Sequence, residues 1–178
     1  MRFVVLDLET TGLNRSGSVS TNHRIIEIAC VEIVDNEITG QEYQSYVNPE
    51  RDVTSQATKI HGITNDMLRK AVKFKDIVTD VLEFIGKDST IVIHNAKFDT
   101  SFLDLEFNLL DEKLQPKGIF NVIDTLEIAR NMFPFESCTL DNLSNIFGVK
   151  IEREKHGALT DARILAEIFI KMNKRWMT

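Results

Sequence analysis

Phe3-Val4-Val5-Leu6-Asp7-Leu8-Glu9-Thr10-Thr11-Gly12 is the stretch on which the fold turns. Residues 3–8 are short, apolar and β-branched, the pattern of a strand buried on both faces. Thr10-Thr11-Gly12 then ends the run with turn chemistry. Residues two apart on a strand share a face, so Asp7 and Glu9 set two carboxylates side by side at the strand's end. Like charges that close coexist at low cost only with water or a cation between them. A lone D-x-E pair is more often a solvated surface, but the apolar run before it points to a central strand.

Reading outward, residues 16–21 are polar and Gly/Ser-rich, which predicts a mobile loop. Two further strand-like runs, 25–34 and 38–47, flank Asp35-Asn36, good turn chemistry for a hairpin. The period then changes. Thr64 reads as the cap of a short helix, and residues 74–85 repeat apolar side chains at helical spacing up to Gly86. Residues 91–93 form a short buried strand, and 98–110 return to helical spacing through Phe102, Leu105 and Leu109. A last strand is expected over 120–123, followed by helices at about 126–132, 140–147 and 160–174. Strands followed by strand–helix alternation predict an α/β fold, a mixed sheet with helices packed on its faces.

The bulk numbers narrow the class. At 178 residues the chain fits one domain, which buries roughly 70% of its unfolded surface without staples. Cys30 and Cys138 are too few for a disulfide framework, and Cys30 sits in an apolar run as a buried free thiol. No window approaches the roughly 18 apolar residues of a membrane helix, and Asp7 and Glu9 interrupt the N-terminal apolar run too early for a signal peptide. A reducing cytoplasm is the expected location. The net charge of −6 argues against tight, extended, unaided binding to duplex DNA. It does not exclude a short footprint at a strand end, because a site built for divalent cations is itself acidic until they bind.

Two more segments place acids where a core would reject them. In Ile91-Val92-Ile93-His94-Asn95-Ala96-Lys97-Phe98-Asp99 a buried strand ends in polar residues, and Asp99 falls at the start of the next helix. Alone, Asp99 reads as a cap or first-turn acid favoured by the helix dipole. In His156-Gly157-Ala158-Leu159-Thr160-Asp161-Ala162 the expected cap is Thr160, with Asp161 in the first turn of the last helix and His156 on the loop before it. Gly157 and Ala158 are small enough for that loop to approach a substrate closely. Together, the four carboxylates and one histidine suit two-metal phosphodiester hydrolysis. Hard oxygen ligands hold Mg²⁺ or Mn²⁺, and a histidine accepts a proton near neutral pH.

These segments resemble, in order, the three exonuclease motifs of the DEDD superfamily in its histidine-bearing DEDDh branch. Asp7 and Glu9 match the first motif, Asp99 the second, and His156 with Asp161 the third. The chain is also similar to the epsilon proofreading subunits of bacterial DNA polymerase III. That likeness lies in His23-Arg24-Ile25-Ile26-Glu27-Ile28, His61-Gly62-Ile63, the second-motif segment, Ala129-Arg130-Asn131-Met132-Phe133-Pro134 and His156-Gly157-Ala158, and covers about residues 2–172.

The resemblance implies an RNase H-like exonuclease fold, a five-stranded mixed sheet flanked by helices. It implies release of nucleoside 5′-monophosphates from DNA 3′ ends with two divalent ions, Mg²⁺ or Mn²⁺. By position, Asp7 would bridge both ions, Glu9 and Asp161 would complete the tighter site, and Asp99 would hold the second ion. His156 would be the general base, and Thr10, Thr11 and Gly12 would line the terminal nucleotide. His61 resembles a position near the substrate, with a structural role at a helix turn as the alternative. Phe98 could stack on a terminal base or pack in the core. His94 is expected to be hydrogen-bonded rather than a ligand, and His23 to be exposed.

In the family a tail beyond the nuclease domain reaches the polymerase III catalytic subunit. The 178 residues end at Lys174-Arg175-Trp176-Met177-Thr178 without one, as expected of either a catalytic core or a standalone relative. A monomer is expected because no exposed apolar stripe asks for a second copy. The competing readings are a DEDDh enzyme acting on RNA and a catalytically silent binding module of a replication assembly. The latter would be expected to have lost a motif residue, and none is lost here.

Overall fold

The computed structural model of the protein describes residues 1–13, 23–87, 89–111 and 120–176. The predicted mobile loop at 16–21 lies outside the described residues. The opening stretch forms β1 (Arg2–Thr10), which pairs antiparallel with β2 (Ile25–Val34). β2 in turn pairs antiparallel with β3 (Glu37–Tyr46). On its other side β1 runs parallel to β4 (Thr90–Ile93), and β4 runs parallel to β5 (Asn121–Asp124). The sheet order is therefore β3-β2-β1-β4-β5, a mixed five-stranded sheet with β1 at its centre. Asp35 and Asn36 both take positive φ, at 51° and 66°, as the two-residue hairpin between β2 and β3 requires.

Alternation along β1 feeds two cores. Val4, Leu6 and Leu8 point to one face, where they pack with α3 (Phe74–Ile85) and α4 (Ala96–Asn108) through Val78, Val81 and Phe102. Phe3 and Val5 point to the other, against Ala162, Leu165 and Phe169 of α7 (Ala158–Trp176). Each such large side chain, taken fully out of water, contributes about 1.5–3 kcal/mol. The Phe3 and Phe169 rings meet edge to face at 5.1 Å. Asp7 and Glu9 share the parity of Phe3 and Val5, so both carboxylates emerge on the α7 side.

Unequal strand length opens the site. β4 pairs with β1 only from Phe3 to Val5, whereas β2 accompanies it as far as Thr10. Beyond Val5 the β4 edge of β1 has no strand beside it among the described residues. Asp7 and Glu9 stand over that gap.

Boundaries differ from the sequence reading in instructive ways. α7 begins at Ala158, so Thr160 lies inside the helix and is not its cap. The Ala158 N–H is instead received at 3.1 Å by the Glu27 carboxylate on β2, a partner remote in sequence. Similarly, α4 starts at Ala96, two residues before the expected Phe98. Asp124 supplies that start, its carboxylate accepting from the Asn95 and Ala96 N–H groups at 3.0 and 2.9 Å. It also caps its own helix, α5 (Thr125–Met132), by accepting from the Leu126 N–H at 2.9 Å.

Helix α1 (Ser55–His61), capped by Thr54, carries too short an apolar pattern to have been read from sequence. The Thr64 cap is present on α2 (Asn65–Leu68), and the helix expected at 140–147 is α6 (Leu140–Phe147). Cys30 is fully buried and unpaired, and burial pushes its thiol up to about 12. Among the described residues no helix is long and apolar enough to cross a membrane.

Candidate active site

Asp7 and Glu9 of β1 meet Asp161 of α7 with carboxylate oxygens all within 4.8 Å of one another. Asp161 is buried at 4% exposure, while Asp7 and Glu9 are half-buried. Asp99, 3% exposed, arrives from the first turn of α4 on the opposite side of the sheet. Its negative charge raises the Asp7 carboxyl, and the Leu8 N–H, left without a β4 partner, hydrogen-bonds to Asp99. The structure thus brings all four sequence-predicted acids to one end of β1.

Electrostatics shows the strain in this arrangement. Burial, then the charges of Asp161, Glu27 and Asp99, push Glu9 up to about 8. Asp7 is raised well above the usual carboxylate range, first by burial and then by Asp99, Asp161, Glu9 and Glu27. Asp99 is raised as well, chiefly by burial. A set of hard oxygen donors that resists full ionisation until positive charge arrives fits divalent cations.

Glu27, quoted in the sequence only as part of a family-like segment, is the acid whose place sequence reasoning missed. It lies directly across from Glu9 in the β1–β2 register and is 2% exposed. Gln44 Nε2 donates to it at 2.6 Å and the Ala158 N–H at 3.1 Å, so its carboxylate anchors the start of α7. The register of residues 27 and 9 was the available signal, and it needs the hairpin pairing to be known.

His156 rests on the loop before α7, tied to α1 where its N–H donates to the Ile60 carbonyl at 3.2 Å. Its Nδ1 lies 2.8 Å from Asp161 Oδ2, and the side chain keeps 43% of its exposure. A carboxylate beside Nδ1 fixes the proton there in the neutral ring, leaving the lone pair on Nε2.

Beside the acids lies a cleft of about 230 Å³ lined by Glu9, Thr10, Gly12, His23, His61 and Phe98 among others. Its floor is held by backbone bonds: the Thr11 N–H donates to Arg24 O at 2.9 Å and the Thr54 N–H to Thr11 O at 3.0 Å. Thr10 Oγ1 donates to the Gly12 carbonyl at 3.0 Å, tightening the turn.

His23 departs from its expected exposure. The ring is half-buried over Gly12, where a Cβ would come within 2.6 Å of its Cε1, and Nδ1 lies 3.0 Å from Thr11 Oγ1. Because Gly12 lacks a side chain, the imidazole can pack against the turn.

His61 is buried at the end of α1, its Nδ1 accepting from the Ile63 N–H at 3.0 Å, while Nε2 has no partner of good hydrogen-bond geometry among the described residues. Phe98 serves both surfaces weighed for it, touching Phe102 at 4.9 Å between centroids and also lining the cleft. His94 has both nitrogens occupied, Nε2 with the Cys138 carbonyl at 2.9 Å and Nδ1 with Thr125 Oγ1 at 3.0 Å. It stands outside the acid cluster, as the sequence reading expected of a hydrogen-bonded histidine.

With this geometry in place, comparison with known proteins is decisive. An exonuclease family model matches residues 4–169. The chain belongs to the exonuclease family. It is 45% identical over 173 residues to the DNA polymerase III subunit epsilon of Buchnera aphidicola subsp. Schizaphis graminum, covering 96% of this chain and 74% of that one. Among solved structures, Exonuclease X in complex with 5′ overhanging duplex DNA is 25% identical and superposes with a TM-score of 0.75, covering 99% of this chain and 93% of that chain. The nuclease domain of 3′hExo, a DEDDh family member bound to rAMP, is 19% identical with a TM-score of 0.80, covering 98% and 92% of the two chains. The fold is the RNase H-like fold of these exonucleases, and DEDDh exonucleases use divalent metals.

Proposed function

We propose that this exonuclease removes nucleoside 5′-monophosphates from DNA 3′ ends and proofreads for a replicative polymerase. The observation that carries the reading is the convergence of Asp7, Glu9, Asp161 and Asp99 on one end of β1, with His156 held by Asp161. Asp7, Glu9 and Asp161 would hold one divalent ion, and Asp7 with Asp99 a second, each Mg²⁺ or Mn²⁺. When bound, such a pair stabilises the attacking and leaving oxygens of an in-line displacement.

The chain's own groups supply the rest. Asp161 Oδ2 holds the His156 proton on Nδ1, so Nε2 can take the proton of the attacking water and Asp161 steadies the imidazolium that results. As water oxygen bonds to phosphorus, the bond to the departing O3′ breaks and that oxygen is protonated. Thr10 and Gly12 form the wall for the terminal nucleotide, whereas Thr11, expected there too, is fully buried behind them; His61 closes one side, and Phe98 offers a ring face for base stacking.

Similarity to epsilon subunits supports a polymerase III catalytic subunit as partner. In the Buchnera relative about a quarter of the chain lies outside the matched part, where further contacts can reside. We further propose a single exonuclease domain over 1–178, monomeric in isolation and cytoplasmic.

Digestion of a 3′-mismatched primer–template with Mg²⁺ or Mn²⁺, against EDTA and a matched RNA, tests the reading. Metal-dependent release of deoxynucleoside monophosphates, faster from the mismatched end, is expected, because an unpaired end costs less to draw into the site. Activity on RNA alone would move the enzyme to another branch, and no turnover would leave a binding module. His156→Ala should lower turnover by about 10²–10⁴-fold. Asp7→Ala should lower it further, since both ions depend on it; full activity in either variant sinks the assigned role.

A further inference from the structure

One cation already sits inside the acidic cluster. Arg153, on the loop before α7, is only 9% exposed, and its Nε lies 2.5 Å from Asp161 Oδ1. The contact is one of charge alone: among the described residues neither atom has a hydrogen-bond partner of acceptable geometry. The other end of the guanidinium is properly bonded, Nη2 donating to Asp141 Oδ1 on α6 at 2.8 Å. Arg153 also lowers the Glu9 carboxyl, opposing the four influences that raise it, so its charge is felt across the cluster.

Asp161 is therefore fully engaged by the chain itself, Oδ1 by Arg153 and Oδ2 by His156. The two contacts differ in kind. The His156 contact has hydrogen-bond geometry and sets the tautomer that a general base needs. The Arg153 contact has no such geometry, and any other cation can replace it. Oδ1 is thus the oxygen that a divalent ion would take.

We propose that Arg153 is a positioning residue, a resident counter-ion that holds Asp161 in place while the site is metal-free and gives it up when a divalent ion arrives. Asp141 is its second anchor, keeping the guanidinium paired after Asp161 Oδ1 is surrendered. The proposal rests on the reading of Asp161 as a metal ligand. It predicts a trade: the same positive charge stabilises the metal-free fold and weakens metal binding.

The test uses Arg153→Gln and Arg153→Lys, melted in EDTA and titrated with Mn²⁺ alone by calorimetry. Arg153→Gln leaves buried acid unpaired, so it should melt several degrees lower than the parent in EDTA. Removing a positive charge a few ångströms from the ion should tighten Mn²⁺ by about tenfold. Arg153→Lys, which restores charge without the fork, should return both values close to those of the parent. A residue with a merely structural role would lower the melting temperature without tightening Mn²⁺.

Unchanged or weaker Mn²⁺ binding by Arg153→Gln, or a Lys variant that behaves like the Gln variant, overturns the proposal. If the Gln variant is too unstable to isolate metal-free, melting at graded Mn²⁺ reads the same affinity through ligand-linked stabilisation. Failure of the parent chain to bind Mn²⁺ would instead overturn the metal-ligand reading itself.

Discussion

Two acids on one helix have opposite fates. Asp99 and Glu106 lie two turns apart on α4, and both are buried, at 3% and 1% exposure. Glu106 meets a matched partner: Arg24 donates Nε to Oε1 and Nη2 to Oε2, each at 2.6 Å, and the Ile25 N–H adds a third bond at 3.3 Å. Asp99 instead faces Asp7 and Asp124, both acids, with backbone N–H groups as its compensation. Burial of a carboxylate therefore says little about function. What distinguishes Asp99 is the shortage of positive charge around it, and that shortage is what a metal ion would fill.

The sharpest way to break this comparison is to neutralise both acids in turn. Asp99→Asn should cut turnover by about 10³-fold or more, the loss of several kcal/mol of transition-state stabilisation. The same change should raise the melting temperature in EDTA, because it relieves repulsion with Asp7. Glu106→Ala should do the reverse. It strands a partly buried arginine, costing about 3 kcal/mol of stability in denaturant titration, yet turnover should survive at temperatures where the chain stays folded. If Glu106→Ala abolished turnover in a folded chain, the division into structural and functional acids would fall.

A smaller effect sharpens the contrast through pH. Glu9 rises from 4.5 to about 8, and Asp7 and Asp99 rise too, so between those values the native state holds more protons than the unfolded chain. Stability must then fall as pH increases through that window, the opposite of a salt-bridged acid. The metal-free protein should melt at least a few degrees lower at pH 8 than at pH 5.5. Saturating Mn²⁺ should remove the slope, since bound ions take the ionised carboxylates. A metal-free melting temperature that rose across this range would contradict the unpaired-acid account.

How much could be read beforehand follows from the range of each signal. β1 was legible because its apolar run and terminal acids are contiguous, and α3 and α6 because one apolar face repeats within the helix itself. The four acids and His156 were singled out because they stand at the ends of apolar elements in segments that resemble exonuclease motifs; by position alone Asp99 reads as a first-turn acid. α1 was not legible, since seven residues with two buried positions carry too little periodicity. The start of α7 was misplaced for a different reason: its cap, Glu27, belongs to a strand far away in sequence.

The sequence by itself determined the periodicities, hence the strands and most helices, and the residue types at the ends of those elements. Only the tertiary structure decided which carboxylates are paired. Glu106 finds Arg24, Glu27 finds Gln44 and the Ala158 N–H, and Asp161 finds Arg153 and His156. Local patterns record hydrophobic alternation, which spans a few residues. Charge compensation depends on distances between elements, and those exist only once β4 has stopped at Ile93 and α7 has packed against β1.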